Sequence, residues 1–146
     1  MYIYLILSLG CVNPVEDIIA IAHQYGAKVL IDVCEILPHI PIDVKQMDCD
    51  WLVPCGHKMC GPLGIGFLYG KLEILQQMPP FLEGVKMNAN VFRDHLDYAD
   101  IRYEFEAGTL AIADAITFGA ATDYLTEIGM DKIYAMDKIY GEELEI

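Results

Sequence analysis

Residues 51–70 read WLVPCGHKMCGPLGIGFLYG, and this stretch decides the fold class of the chain. The apolar run WLVPC predicts a strand, and the run GIGFLYG predicts another. Because too few residues separate the two runs for a helical crossover, an antiparallel pairing is favoured between them. The connection, CGHKMCGP, places Lys58 beside His57, and the chemistry that these side chains serve has to be decided from the rest of the sequence.

Strand and helix patterns alternate on the N-terminal side of this stretch. Residues 2–9 predict a strand, and AKVLIDV (27–33) is an unbroken apolar run, which is typical of a strand buried on both faces. Between them, Asn13-Pro14 predicts a helix start and Gly26 predicts its end. The turn-rich segment 38–50 is expected to hold a short helical turn. This alternation predicts an α/β fold with helices packed on a mixed, mostly parallel sheet.

The C-terminal half is less regular. Residues 76–108 form a long stretch without clear periodicity, which in a compact domain is usually functional or disordered. The helical pattern returns over residues 112–128, with Ala and Gly on one face for close packing. Gly129 breaks the pattern, and Asp131 is expected to cap a last helix. The apolar start of the chain and its helical end together suggest a piece of a larger protein.

Composition excludes several classes of function. The 146 residues are 55% hydrophobic with a formal net charge of −13, which disfavours binding to nucleic acid or to an anionic membrane. The apolar N-terminus lacks the basic region and cleavage site of a signal peptide and is too short to span a bilayer. Five cysteines without an export signal favour a reduced, cytoplasmic protein.

A metal site and a nucleotide site are both weakly supported. Cys55, His57 and Cys60, with Cys34 and Cys49 elsewhere, could supply soft ligands, but the paired spacings of structural zinc sites do not occur. We therefore predict no metal. The GPLGIG segment is neither a dinucleotide-binding fingerprint nor a P-loop, and it leads into a strand instead of a helix.

The lysine supports a more specific hypothesis. An amine in a partly buried turn can form a Schiff base with an aldehyde. Asp32 ends a predicted buried strand, where an unpaired carboxylate would be costly. A lysine and a buried carboxylate together suggest pyridoxal phosphate (PLP), whose ring nitrogen needs an anionic partner. A turn lysine on the surface and a carboxylate that caps its own turn remain the alternatives from these residues alone.

The segment NPVEDIIAIAHQYGAKVLIDVCEILPHIPIDVKQMDCDWLVPCGHKMCGPLGIGFLYGK (13–71) resembles the group II cysteine desulfurases. These are class V aminotransferase-like PLP enzymes of fold type I. Their corresponding segments read approximately GAKVLVDGAQAVPH and SGHK-x-x-GP-x-GIG-x-LYGK. The resemblance is nearly collinear over residues 9–82 and resumes at FEAGT (105–109). It implies that this chain is a three-layer fragment of the large PLP-binding domain.

The resemblance also implies a role for individual residues. Lys58 matches the catalytic lysine that binds PLP covalently, and Asp32 matches the aspartate that contacts the ring nitrogen. His57 matches a histidine that contacts the phosphate. Thr109 matches a threonine that reaches the phosphate of the partner subunit's cofactor, which implies a homodimer.

Several positions depart from the family pattern, and each departure removes or reverses a polar contact. Glu35 replaces a glutamine beside the cofactor's phenolic oxygen, where a second anion is repulsive unless it is protonated. Cys55 replaces a serine that donates to the phosphate, and a thiol is a much weaker donor. The remaining departures are Leu7 for an asparagine, Glu104 for an arginine, and Leu110-Ala111 for Pro-Asn.

The implied reaction is the removal of sulfur from L-cysteine, which yields alanine and a persulfide for an acceptor protein. Residues 1–128 would be the C-terminal part of the large domain, and residues 129–146 a helix that leads toward a C-terminal domain outside this chain. Two alternatives stay open. One is an inactive remnant that folds or dimerises without turnover, and the other is a class V aminotransferase or lyase that acts on another amino acid.

Overall fold

A computed structural model describes residues 1–6 and 11–144. The strands are β1 (Tyr2–Ile3), β2 (Leu5–Ile6), β3 (Cys11–Val12), β4 (Leu30–Asp32), β5 (Trp51–Val53), β6 (Tyr69–Gly70), β7 (Asn88–Val91) and β8 (Leu96–Tyr98). The helices are α1 (Val15–Gln24), α2 (Val44–Met47), α3 (Leu72–Leu75), α4 (Ile101–Glu104), α5 (Ile112–Ile128) and α6 (Met130–Leu144). The expected departure at Leu7 falls outside the described residues.

The chain divides into two compact units. The first unit comprises Met1–Tyr69 and Ala113–Ile146, and the second comprises Gly70–Ile112. The central sheet has the order β1-β4-β5-β6, and its β1–β4 and β4–β5 pairs are parallel. Cys55 and Gly66 form an isolated antiparallel bridge beyond β5. The architecture is therefore α/β with a mixed, mostly parallel sheet, as the sequence predicted.

The main core lies between this sheet and the helices α1 and α2. Val29, Ile31 and Val33 alternate along the β4 segment and are almost fully buried against Val15 and Ile19 of α1. Fully burying one such aliphatic side chain contributes about 1.5–3 kcal/mol. The intervening residues of β4 and β5 are only half-buried. The prediction of burial on both faces, made for the segment that contains β4, is therefore wrong.

A second core cluster lies below the turn that carries Lys58. Met59 packs there against Phe118, Ala121 and Leu125 of α5, and residues of α6 cover the cluster's edge. His39 also contacts α6, because its Nδ1 lies 2.8 Å from Asp137 Oδ2. Helices α5 and α6 thus support the Lys58 turn from beneath.

Helix α1 begins and ends where the sequence predicted. Glu16 and Asp17 lie in its first turn, where the helix dipole favours negative charge. Gly26 follows its last residues with φ +71°, a left-handed conformation that costs glycine little. The segment 38–50 holds α2, whose N-cap Asp43 accepts hydrogen bonds from the Lys45 and Gln46 N–H groups.

Three predicted elements differ from the observed ones. The strand predicted over residues 2–9 is interrupted at Tyr4, whose N–H donates to the Asp32 carbonyl and whose carbonyl accepts the Asn13 N–H. After Tyr4, β2 pairs antiparallel with β3. GIGFLYG forms only an isolated bridge at Gly66 and the short β6, and Gly64 lies in the preceding turn with φ +78°. Asp131 lies in the first turn of α6 instead of capping it, because the Gly129 carbonyl accepts the Lys132 and Ile133 N–H bonds.

The second unit contains most of the stretch predicted to be irregular. Strands β7 and β8 form an antiparallel hairpin with an irregular register, and the short helix α4 follows. The hairpin turn is closed by the Phe92 N–H, which donates to the His95 carbonyl, and the two rings stack with centroids 4.3 Å apart. The prediction of irregular structure was wrong here, because local turn contacts support a hairpin that shows little apolar periodicity.

A buried carboxylate connects α1, β4 and β5. Asp50 is fully buried, and its Oδ2 accepts the Val29 N–H at 2.7 Å and lies 2.9 Å from His23 Nε2. Its Oδ1 lies 3.3 Å from Lys28 Nζ. Burial alone would raise the pKa of Asp50, but the hydrogen bonds from His23, Val29 and Lys28 outweigh it and leave the pKa below its ordinary value. The ionised form of Asp50 therefore stabilises the fold.

Within the described part of the chain, no helix is both long and apolar enough to cross a membrane.

Candidate active site

The predicted catalytic lysine lies on a tight turn after β5. His57–Met59 form a single 3₁₀ turn, in which the Gly56 carbonyl accepts the N–H groups of Met59 and Gly61. Met59 is buried in the core cluster beneath, whereas Lys58 is half-buried and His57 is exposed. The turn therefore uses Met59 as its anchor and leaves the two polar side chains accessible.

The amine of Lys58 has a carboxylate partner. Its Nζ lies 3.1 Å from Glu35 Oε1, with side-chain exposures of 36% for Lys58 and 28% for Glu35. Glu35 belongs to the turn that directly follows β4. The sequence singled out Glu35 for its effect on a cofactor oxygen. The structure instead brings it to Lys58, a contact that no local sequence pattern indicates.

Asp32 ends β4 and holds the start of the following turn. Its Oδ1 accepts the Cys34 N–H at 3.0 Å, which is an Asx-type turn. This contact fits the alternative that the carboxylate caps its own turn, and it also fixes the orientation of the side chain. Asp32, Glu35 and Lys58 all follow the carboxyl ends of parallel strands, which is where open α/β sheets bind ligands.

Two thiols lie beside these polar groups. The Cys55 Sγ lies 4.0 Å from the Cys34 carbonyl oxygen, and the Cys34 Sγ lies 3.8 Å from the Val53 carbonyl oxygen. Burial, then hydrogen bonds with Cys55 and Asp32, raise the pKa of the Cys34 thiol to about 12. Cys34 is therefore a thiol, not a thiolate, near neutral pH. From its sequence position Cys34 was only a candidate soft metal ligand, and its contact with Cys55 was not predicted.

Cys34, Cys49, Cys55, Cys60 and His57 were the candidate metal ligands. Within residues 1–6 and 11–144, no group of three or more His, Cys, Asp or Glu side chains is arranged to hold a metal ion.

The glycines of the motif are required by close backbone contacts. A Cβ at Gly66 would lie 2.5 Å from the Pro54 carbonyl oxygen, and one at Gly56 would lie 2.8 Å from Ile65 Cγ2. At Gly61 it would meet the Gly56 carbonyl oxygen at 2.9 Å. These contacts bring residues 61–66 back against residues 54–56. The glycine spacing of the motif therefore serves to fold the lysine turn.

Replacing Gly66 with alanine is expected to destabilise the chain by about 1–3 kcal/mol, because the added methyl group meets backbone instead of a flexible side chain. Gly119→Ala is the matched control, since a Cβ at Gly119 in α5 meets nothing within 4 Å. Alanine in a helix should stabilise by about 0.5–1 kcal/mol. Urea denaturation followed by circular dichroism measures both, and equal effects of the two variants would contradict the role given to Gly66.

Thr109 is the one predicted site residue that belongs to the second unit. It is exposed in the loop between α4 and α5. The preceding Gly108 has φ +83° and donates its N–H to the Val85 carbonyl. The proposed contact of Thr109 with the cofactor of a partner subunit stays a prediction.

Comparison with known proteins identifies the family. The aminotransferase class-V profile matches residues 6–145. The chain is 61% identical over 127 residues to a probable cysteine desulfurase of Synechocystis, with 87% of this chain and 30% of that protein aligned. It is 42% identical over 135 residues to a cysteine desulfurase of Haloferax volcanii, with 92% of this chain and 32% of that protein aligned. The chain thus spans about a third of the length of these curated relatives.

Solved structures agree with this family. The crystal structure of the Escherichia coli cysteine desulfurase CsdA superposes with a TM-score of 0.86 at 34% identity, covering 90% of this chain and 33% of that one. C-DES, solved with glycine covalently linked to its PLP cofactor, superposes with a TM-score of 0.80 at 23% identity, and that likeness concerns the fold alone. The profile match, the cysteine desulfurase relatives and the shared fold establish that this chain belongs to the class-V aminotransferase family.

Proposed function

We propose that this chain forms the lysine-bearing part of a PLP-dependent cysteine desulfurase, which converts L-cysteine to alanine and a persulfide for a sulfur-acceptor protein. The observation that carries the proposal is the position of Lys58. Its amine projects from the glycine-bounded turn after β5 toward the turn after β4, and it lies 3.1 Å from Glu35.

The side chains at the sheet edge fit PLP in type. The cofactor needs an amine for its aldehyde, an anion for its ring nitrogen and donors for its phosphate. Lys58 would bind the aldehyde carbon, Asp32 would hold the proton on the ring nitrogen, and His57 would donate to the phosphate. Cys55 would contact the phosphate weakly, and Thr109 would serve the site of a partner subunit. When bound, PLP supplies an electron sink for the amino acid's α-carbon.

The chain's own residues determine how readily Lys58 reacts. A lysine amine is nucleophilic only after Nζ has lost its proton. The Glu35 carboxylate interacts with the charged ammonium form, so this ion pair has to break before Nζ can attack a carbonyl carbon. The contact also positions the side chain, because it holds the flexible lysine at the end of β4. Glu35 therefore orients Lys58 and opposes its reaction at the same time.

Replacing Glu35 with glutamine, the residue of the family pattern, is expected to tighten PLP binding. Half-exposed ion pairs contribute about 0–1 kcal/mol, so the apparent affinity should rise by up to about fivefold. Titration of the purified chain with PLP, followed by absorbance, measures the change. Glu73→Gln in α3 is the matched control, since it removes the same charge from an exposed glutamate. Equal affinities in the two variants would show that Glu35 does not oppose binding.

The direct test of the proposed function traps the cofactor and then assays turnover. The chain is incubated with PLP, reduced with borohydride and digested, and mass spectrometry locates the label. We expect the label on Lys58, and an assay for sulfide release from L-cysteine in the presence of a thiol then decides between binding and turnover. Binding without sulfide release would favour the inactive alternative. Release of a different product from another amino acid would favour the aminotransferase or lyase alternative. No labelling at saturating PLP would overturn the proposal.

The resemblance supports three further proposals about the whole protein. We propose that it works as a homodimer in the cytoplasm, with Thr109 contributing to the partner subunit's site. Residues 1–128 would belong to the large domain, and residues 129–146 would lead toward a C-terminal domain. Sedimentation of the purified chain at several concentrations tests dimerisation, and a monomer at all concentrations would contradict it for this chain.

A further inference from the structure

Cys34 and Cys55 follow the ends of two paired strands. The parallel register of β4 and β5 pairs Leu30 with Trp51, Ile31 with Leu52 and Asp32 with Val53. Val33 continues the pairing through its N–H, which donates to the Val53 carbonyl at 3.0 Å. Beyond this point the chain turns away from β4 at Cys34, whose carbonyl oxygen lies 4.0 Å from the Cys55 Sγ.

Contacts between the two cysteines favour a disulfide. The Cys55 Sγ contacts the Cys34 carbonyl and the Cys34 Sγ contacts the Val53 carbonyl. The two side chains also interact directly, since hydrogen bonding with Cys55 is among the causes that raise the pKa of the Cys34 thiol. Both cysteines are free and partly accessible.

We propose that Cys34 and Cys55 form a reversible disulfide when the chain meets a peroxide, and that this disulfide regulates the Lys58 site. The pair is a modification site distinct from the residues that would carry out the chemistry on the amino acid. The two cysteines belong to the first unit, in which β4, β5 and the Lys58 turn all lie.

The sequence in which the two thiols react follows from the different environments of Cys34 and Cys55. The Cys55 sulfur, as thiolate, attacks one oxygen of hydrogen peroxide, whose O–O bond breaks to give a sulfenic acid and, after protonation, water. The Cys34 sulfur then attacks the Cys55 sulfur, the S–OH bond breaks, and a second water leaves. Two thiols are thereby oxidised and one peroxide is reduced. Cys34 acts second, because the raised pKa of its half-buried thiol leaves it poorly ionised.

The consequence for Lys58 rests on the proposed function. Cys55 precedes Lys58 by three residues and begins its turn, at the position where the family pattern has a phosphate-binding serine. A disulfide ties that position to the end of β4 and removes the Cys55 thiol from the cofactor's reach. We therefore expect PLP labelling of Lys58 to fall when the chain is oxidised and to recover after reduction with dithiothreitol.

The disulfide itself is tested without cofactor. The reduced chain is treated with hydrogen peroxide, free thiols are blocked with N-ethylmaleimide, and a non-reduced digest is mapped by mass spectrometry. We expect one cross-linked peptide joining Cys34 to Cys55 and the loss of two of the five titratable thiols. Absence of that peptide, or a bridge from Cys55 to the exposed Cys60 instead, would overturn the proposal.

Single-cysteine variants distinguish a specific Cys34–Cys55 disulfide from general oxidation of thiols. Cys34→Ala and Cys55→Ser should abolish the cross-linked peptide, whereas Cys60→Ser, which alters an exposed thiol on the same turn, should retain it. Circular dichroism checks that each variant folds, and mapping of the unsubstituted chain remains decisive if one does not. PLP labelling of the reduced chain tests the proposed function separately. A disulfide that forms while labelling stays unchanged would refute the regulatory part alone.

Discussion

Replacing Lys58 with alanine should reduce the borohydride-stable PLP label on the chain by more than about tenfold, because only an amine at this position can bind the aldehyde covalently within the motif. The turn itself should survive, since its anchors are the buried Met59 and the hydrogen bonds to the Gly56 carbonyl. Quantitative mass spectrometry of the reduced, digested chain measures the loss.

Two controls make this result specific to the amine of Lys58. Lys58→Arg keeps a positive charge opposite Glu35 but removes the reactive amine, so it should lose the label as fully as alanine does. Lys45→Ala removes an exposed lysine from α2 and should leave the label unchanged. A label that persists in Lys58→Ala would place the reactive amine elsewhere and contradict the role of the motif.

Replacing Asp50 with alanine is expected to lower the free energy of unfolding by about 3 kcal/mol. The change leaves the Val29 N–H without its acceptor, which costs about 1–3 kcal/mol, and it removes the charge partner of His23 and Lys28. Removing one partner of a buried ion pair usually costs about 3–5 kcal/mol. The loss of stability here should lie near the lower value, because Lys28 is 57% exposed and can be hydrated. Urea denaturation measures it.

Lowering the pH should also reduce the free energy of unfolding of the unsubstituted chain, because it protonates Asp50. The pKa of Asp50 lies below its ordinary value in the folded state, so its ionised form contributes stability above the ordinary value of 3.8. That contribution is lost as the pH falls from 3.8 through the lower, folded-state pKa. Measurements of the free energy of unfolding at several pH values between about 2 and 4 should show a smaller loss in Asp50→Asn.

Asp48→Asn provides the control for the Asp50 variants. Asp48 lies 3.6 Å from the other side of His23, but its side chain is 63% exposed, and asparagine tolerates its left-handed conformation. It should change stability by less than about 1 kcal/mol. An effect of Asp48→Asn as large as that of Asp50→Ala would contradict the importance of burial.

Local sequence signals predicted the elements whose hydrogen bonds are local. Helix α1 follows from Pro14, its acidic first turn and Gly26, and α5 follows from a long helical pattern. The interrupted strand at Tyr4 could not be predicted in this way, because its hydrogen bonds go to Asp32 and Asn13 in other segments. The hairpin of β7 and β8 was missed for a related reason, since its mostly exposed strands show no apolar alternation.

The sequence by itself determined the family and the α/β class, and the motif GHK-x-x-GP-x-GIG singled out Lys58 as the predicted catalytic lysine. Two glycines of that motif, Gly61 and Gly66, have backbone contacts too close for any side chain. Only the tertiary structure decided which groups Lys58 and Cys55 meet. Glu35 and Cys34 follow β4 while Lys58 and Cys55 follow β5, so their contacts depend on the register of two parallel strands. Strand register is set by the packing of a whole sheet face, and this is why the ion pair and the thiol pair emerged only from the folded chain.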